Sequence, residues 1–143
     1  MKLSSNFTVE ELVHPDIIKK LGAKRAANLI SLYLIKELER LRDQYGAIHI
    51  NGRRFINSGL RQASYYKNKI GLMKQSYSTH QWGNTADLKF SNGIKPAEVY
   101  DYILDNPNKF PFIVRMENAH KTKTWLHIEC GAYREDTIRV FNP

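Results

Sequence analysis

The sequence predicts an α+β fold, with N-terminal helices packed on a mostly antiparallel sheet. Three observations predict it. Apolar residues recur at helical spacing in the first third, short apolar or alternating runs fill the second half, and turn-forming residues separate those runs. Thr8 with Glu11 three residues on makes a capping-box pair, and Phe7 with Leu12 takes hydrophobic-staple positions, so a short helix starts here. Pro15 interrupts it. Ala26, Leu29, Ile30, Tyr33, Leu34, Leu38, Leu41 and Tyr45 then recur at helical spacing up to Gly46, predicting one long amphipathic helix with a glycine stop.

Ile48 and Ile50 flank His49, Asn51-Gly52 can turn the chain, and Phe55-Ile56 resumes an apolar run, which reads as strand segments around a tight connection. Residues 61–82 are polar and tyrosine-rich without sustained period, the pattern of a helical turn followed by a long functional loop. Ala86 to Phe90 reads as a strand. Pro96 suits the first turn of a helix running to about Asp105, ended by Asn106-Pro107. Phe112–Glu117 and Thr124–Cys130 read as paired strands joined by the polar connection 118–123, with Ile138, Val140 and Phe141 forming a last edge strand.

A chain of 143 residues, 42% hydrophobic and 25% charged, is expected to form a single domain over residues 1–143. It holds no apolar run of membrane-spanning length, and its first residues, MKLSSNFTVEEL, lack an apolar signal core, so a cytoplasmic location is expected. Cys130 is the single cysteine, which excludes an internal disulfide. The formal charge of +8 and a pI near 9.6 favour polyanionic partners, either nucleic acid or the anionic polymers of cell walls. Lysines and arginines are dispersed and no nucleic-acid motif is present, so nucleic acid is not the expected partner.

The segment Ser78-Thr79-His80-Gln81-Trp82-Gly83-Asn84-Thr85-Ala86-Asp87 sets an imidazole at the end of a loop and a carboxylate seven residues later on a strand. His127, inside the strand around Trp125-Leu126-His127-Ile128-Glu129, offers a third ligand. Two histidines and one carboxylate, with a fourth position open to water, suit a catalytic zinc ion.

The pattern Ser78-x-His80-x-x-Gly83-x-x-Ala86-Asp87 followed by Trp125-x-His127 resembles the metal signature of the D-alanyl-D-alanine carboxypeptidase family of zinc peptidases. That family includes VanX-type dipeptidases and phage L-alanyl-D-glutamate endolysins, and hedgehog signalling domains share its fold. Asn6-Phe7-Thr8-x-Glu10-Glu11-Leu12, the helix after it and Ser58-Gly59-Leu60-Arg61 follow the family's order of elements, so the resemblance covers nearly the whole chain. It implies a hedgehog/DD-peptidase-like fold, one Zn²⁺ held by His80, Asp87 and His127, and Arg61 as a basic residue near the substrate. It also implies peptidoglycan stem peptides as substrate, and release from the producing bacterial cell to the wall without a signal peptide.

Thr85 stands where many members have alanine, and Thr124 stands where many place a catalytic acid three residues before the last histidine. Two other acids can serve as general base. Glu117 on the preceding strand arrives beside Trp125 and His127 if the two strands pair, and Glu129 shares a strand face with His127 about 7 Å along. Either can instead be a surface acid paired with a lysine. Glu117 is preferred, Glu129 second.

His120, in the connection, can stabilise an oxyanion, its alternative being a solvated loop histidine. Arg61 can grip a substrate carboxylate bidentately. Cys130 points away from His127 and reads as a small buried hydrophobe. Trp82 and Trp125 read as packing around the site, and Tyr65, Tyr66 and Tyr77 carry no assigned role. The expected activity is metal-assisted hydrolysis of a wall-peptide amide bond, L-alanyl-D-glutamate or D-alanyl-D-alanine, by a monomer. The alternative is a zinc-containing wall-binding module of the same fold without turnover, which the missing acid at Thr124 keeps open.

Overall fold

The structure, a computed structural model, describes residues 1–51, 57–61 and 78–143. Six α-helices and five strands lie among the described residues: α1 (Val9–Leu12), α2 (Pro15–Leu21), α3 (Ala23–Ala27), α4 (Leu32–Tyr45), β1 (Ile48–His49), β2 (Thr85–Phe90), α5 (Pro96–Asp105), β3 (Ile113–Glu117), α6 (Ala119–Thr122), β4 (Leu126–Cys130) and β5 (Arg139–Phe141). The strands form one sheet in the order β1-β2-β4-β3-β5. Every pairing is antiparallel except β3 with the edge strand β5, which is parallel. The α+β class and the mostly antiparallel sheet expected from the sequence are present.

Alternation along the strands sends Ala86 and Leu88 of β2, Met116 of β3 and Leu126, Ile128 and Cys130 of β4 into an apolar layer, all buried. Helices α4 and α5 cover that layer, contributing Leu34, Leu38 and Leu41 from one and Val99 and Ile103 from the other. Each such side chain gains about 2 kcal/mol from leaving water, which is why the sheet presents its polar residues to the opposite face. Cys130 lies on the apolar face as expected, and burial pushes its thiol up.

The N-terminal signals act as read. The Glu11 carboxylate accepts from the Thr8 amide at 2.8 Å and from its hydroxyl at 2.9 Å. Pro15 does more than interrupt, since it opens α2 as its first residue with His14 Nδ1 accepting from the Asp16 amide. The long helix predicted from Ala26 to Tyr45 is two helices. The chain breaks over Asn28 to Ser31, where the Ser31 amide turns to the Gly83 carbonyl (2.9 Å) and the Ser31 hydroxyl caps α4 at the Tyr33 amide. The apolar period runs through the break although the two helices pack on different elements, α3 on α1 and α2 and α4 on the sheet, and Leu29 within the break is exposed.

The connection 118–123 is not a simple hairpin, because Asn118 caps the short helix α6 through the His120 amide. The readings of Phe55-Ile56 as strand and of 62–77 as a loop, with Tyr65, Tyr66 and Tyr77, lie outside the described residues. No helix among the described residues is long and apolar enough to cross a membrane.

Glu37 breaks the apolar pattern of α4. It is fully buried, accepts from the Phe112 amide at 2.8 Å through Oε1 and meets Arg40 at 3.2 Å, while Oε2 has no hydrogen-bond partner among the described residues. Burial raises its pKa above the usual carboxylate value despite the Phe112 amide and Arg40. A carboxyl raised in the folded state holds its proton there more tightly than in the unfolded chain, so stability falls as pH climbs from the unfolded value through the folded one. Glu37→Gln removes that dependence. Thermal melts should show the variant gaining on the parent between pH 5 and pH 8, and a gain that shrinks with pH would mean that the Glu37 charge stabilises the fold.

Candidate metal centre

Strands β2 and β4 run side by side with Asp87 opposite His127 and Thr85 opposite Glu129. Those four residues therefore share the face turned away from the apolar layer. Strand β3 adds Arg115 opposite Glu129, and Glu117 two residues on shares that face. Strand β5 adds Phe141 opposite Glu117. The third ligand residue, His80, arrives from a 3-10 turn at Thr79–Gln81 and is buried.

Glycine makes that turn possible. Gly83 has φ +71°, and a Cβ there would fall inside the Leu29 carbonyl. Gly83 itself, not Trp82, packs against the helix break, and the Trp82 ring is left 64% exposed. This corrects the expectation that Trp82 packs around the site. Trp125 does pack there, its Nε1 donating to Glu117 Oε2 at 3.2 Å.

A second close approach holds His80 from below. The 57–61 segment runs beside Leu12, where a Cβ on Gly59 would meet the Leu12 backbone. The Gly59 carbonyl accepts from His80 Nδ1 at 2.9 Å, which sets the tautomer and turns Nε2 toward Asp87 Oδ2, 3.3 Å away. The Ser58 carbonyl takes the Asp87 amide at 2.7 Å, and the Asn51 side chain holds the Ser58 and Gly59 amides. Asn51, read from the sequence as a turn former, is thus an anchor of the site.

Asp87 is the common partner. Its Oδ1 lies 2.7 Å from His127 Nδ1, and its Oδ2 accepts from Arg61 Nη2 at 2.8 Å. Arg61 also places Nη2 3.4 Å from His80 Nε2, donates through Nε to the Asn57 carbonyl, and bonds the His80 carbonyl through its own amide. Where the sequence suggests a substrate contact, the structure sets Arg61 on the ligand carboxylate. His127 Nε2 lies 3.2 Å from Glu129 Oε1, and the Phe141 ring stands edge-on to the imidazole with centroids 5.5 Å apart.

Glu117 and Glu129 both line an open cavity of about 230 Å³ beside His127. Glu129 is engaged with His127, while Glu117 reaches the cavity next to it. His120 is not gathered with these groups. It bonds Asp101 of α5 at 2.8 Å, stacks edge-on to Tyr100 and is more than half exposed, because α6 packs against α5.

Burial opposes charge on both Asp87 and His127, but their mutual hydrogen bonds and charges prevail. Asp87 is held well below the usual carboxylate range by His127 and His80. His127 is pushed up to about 9 by Asp87 and Glu129.

His80, Asp87 and His127 each offer one ligand atom, all within 4.8 Å of one another, and together can hold a metal ion. The donor set fits zinc, whose bonds of about 2.0–2.1 Å place tetrahedral ligand atoms about 3.3 Å apart. The Gly59 carbonyl on His80 and the Glu129 carboxylate on His127 are the outer partners that fix ligating imidazoles. No protein-family model, curated protein or solved structure matches the chain.

Two outcomes follow from this geometry. Gly83→Ala should cost about 2 kcal/mol or more, since it meets both the positive φ and the Leu29 backbone, and a melt unchanged from the parent would mean that the backbones at Leu29 and residue 83 do not meet closely. With His127 raised to about 9, its imidazole holds a proton at pH 7.5 that a metal ion bound there, zinc in the titration, would have to displace. Calorimetric titration in buffers of different ionisation enthalpy should report release of about one proton, while a buffer-independent heat would place the proton elsewhere.

Proposed function

We propose that the protein is a zinc-dependent peptidase that hydrolyses an amide bond in bacterial peptidoglycan peptides. The observation that carries this reading is the His80, Asp87 and His127 cluster, its ligand atoms within 4.8 Å, with His127 lining a cavity that two further carboxylates also line. The likeness of Ser78-x-His80-x-x-Gly83-x-x-Ala86-Asp87 and Trp125-x-His127 to the D-alanyl-D-alanine carboxypeptidase family supplies the substrate class, and the +8 charge suits attraction to an anionic wall.

A zinc ion held by His80, Asp87 and His127 would supply Lewis acidity, lowering the pKa of a bound water toward neutrality and polarising the scissile carbonyl. The protein's side chains divide the remaining work. Glu117 removes the proton of the attacking water and returns it to the departing amine. It is favoured as base because Glu129 already orients His127 through Nε2. Trp125 Nε1 holds the Glu117 carboxylate at the cavity. Arg61 fixes the orientation of Asp87 and keeps positive charge beside the reacting carbonyl.

A second reading, a zinc-containing wall-binding module without turnover, is favoured by one observation: Thr124 occupies the position where many relatives of that family carry their acid.

Turbidity loss of purified peptidoglycan, measured for the zinc-loaded protein, His80→Ala and Glu117→Gln with metal content determined on each, separates the readings. Lysis by the parent is expected, with loss of metal and activity in His80→Ala. Glu117→Gln should retain zinc and lose activity by a factor of about 10² or more. Zinc without lysis on several wall types would favour the binding module, and absence of zinc would end both readings.

A further inference from the structure

The cavity beside His127 continues into a larger cleft of about 410 Å³, and the two share Thr79, Arg115 and Glu129. Arg115 therefore stands at the junction, on the sheet face that carries Asp87 and His127. The cleft is bordered by two strongly exposed aromatic rings, Trp82 at 64% and Tyr133 at 93%.

Three arginines line the cleft, and their hydrogen bonds distinguish them. Arg134 Nη1 is turned inward, donating to the Pro107 carbonyl at 2.9 Å and the Phe110 carbonyl at 2.7 Å. Arg139 is paired with Glu135 through both Nε and Nη2. The Arg115 guanidinium makes no hydrogen bond among the described residues, although it forms an ion pair with Glu129. Its nearest carboxylate oxygen is Glu129 Oε1 at 3.6 Å, an atom that also lies 3.2 Å from His127 Nε2. The guanidinium lies over the Phe141 ring at 4.0 Å from its centroid, and Phe141 packs on His127. Stacking of this kind holds the guanidinium plane while leaving its edge donors available, the arrangement that grips a carboxylate bidentately.

We propose that Arg115 is the specificity residue of this cleft, binding a carboxylate of an acidic peptide whose reacting amide lies over the metal cluster. This rests on the peptidase reading above for the position of the amide, while recognition of the carboxylate rests on the cleft alone. The exposed Trp82 and Tyr133 rings flank the bound peptide, and Arg115 sets which peptide enters.

The test uses the zinc-loaded protein and a wall stem peptide offered with free carboxylates and with each carboxylate amidated in turn. Binding is followed by calorimetry and cleavage by chromatography, for the parent, Arg115→Gln and Arg115→Lys, with zinc content and melting recorded for each. The parent should bind and cleave the free form about tenfold better than one amidated form. Arg115→Gln should lose that preference on the acidic peptide alone with zinc unchanged, and Arg115→Lys should restore part of it. Indifference of the parent to amidation, equal weakening of both peptides in Arg115→Gln, or binding of neither peptide would overturn the assignment. Acid-selective binding without cleavage would uphold the cleft and remove the peptidase reading, and cleavage without selectivity would do the reverse.

Discussion

A carboxylate taken out of water needs charged or hydrogen-bonding partners, and Asp87 is the group on which this structure turns. It is flanked by His127 at 2.7 Å, Arg61 at 2.8 Å and His80 at 3.3 Å, and each arrives from a different part of the chain. Losing any one leaves a partly buried charge under-compensated, at a cost of about 3–5 kcal/mol for a pair well removed from solvent. The arrangement also keeps the carboxylate ionised and aimed at the two imidazoles. The requirement that stabilises the residue is thus the one that would let it serve as a ligand.

The 57–61 segment carries that requirement to the rest of the fold. Toward the N-terminal helices, the Leu60 amide bonds the Leu12 carbonyl at 2.7 Å and the Leu60 carbonyl accepts from the His14 amide at 3.0 Å. Toward the site, Ser58 holds Asp87, Gly59 holds His80, and Arg61 holds both. Gly59 is needed because the backbones at Leu12 leave no room for a side chain. Five residues thereby couple the α1 and α2 region to a cluster formed on the far side of the sheet from the apolar core. This gives the Ser58-Gly59-Leu60-Arg61 motif a mechanical meaning.

Much of this was legible from local chemistry. The Thr8 and Glu11 pair, the Pro96 start and Asn106 end of α5, and the β2 and β4 strands depend on near neighbours, and each appears where the residues imply. The His80, Asp87 and His127 triad was legible through the resemblance of its pattern to a zinc-peptidase signature, since two histidines and an acid alone recur by chance. Features set by distant partners were not. The break between α3 and α4 follows from a contact with Gly83, invisible in an apolar period that continues through it. His120 has a polar loop context but is claimed by Asp101 once α6 forms. Arg115 shares a face with Glu117, yet the irregular pairing between Ile113 and Arg115 hides that alternation from anyone counting along the strand.

The pairing of Asp87 directly opposite His127 has a consequence for how the chain reaches this state. Side chains alternate along a strand, so sliding β4 by a single residue against β2 would send one of the two to the opposite face. An ion that requires both residues recognises the correctly aligned sheet and ignores its near-misses. By mass action it draws the population toward that alignment. A metal ion held there would act as a proofreader of strand register, whatever else it does.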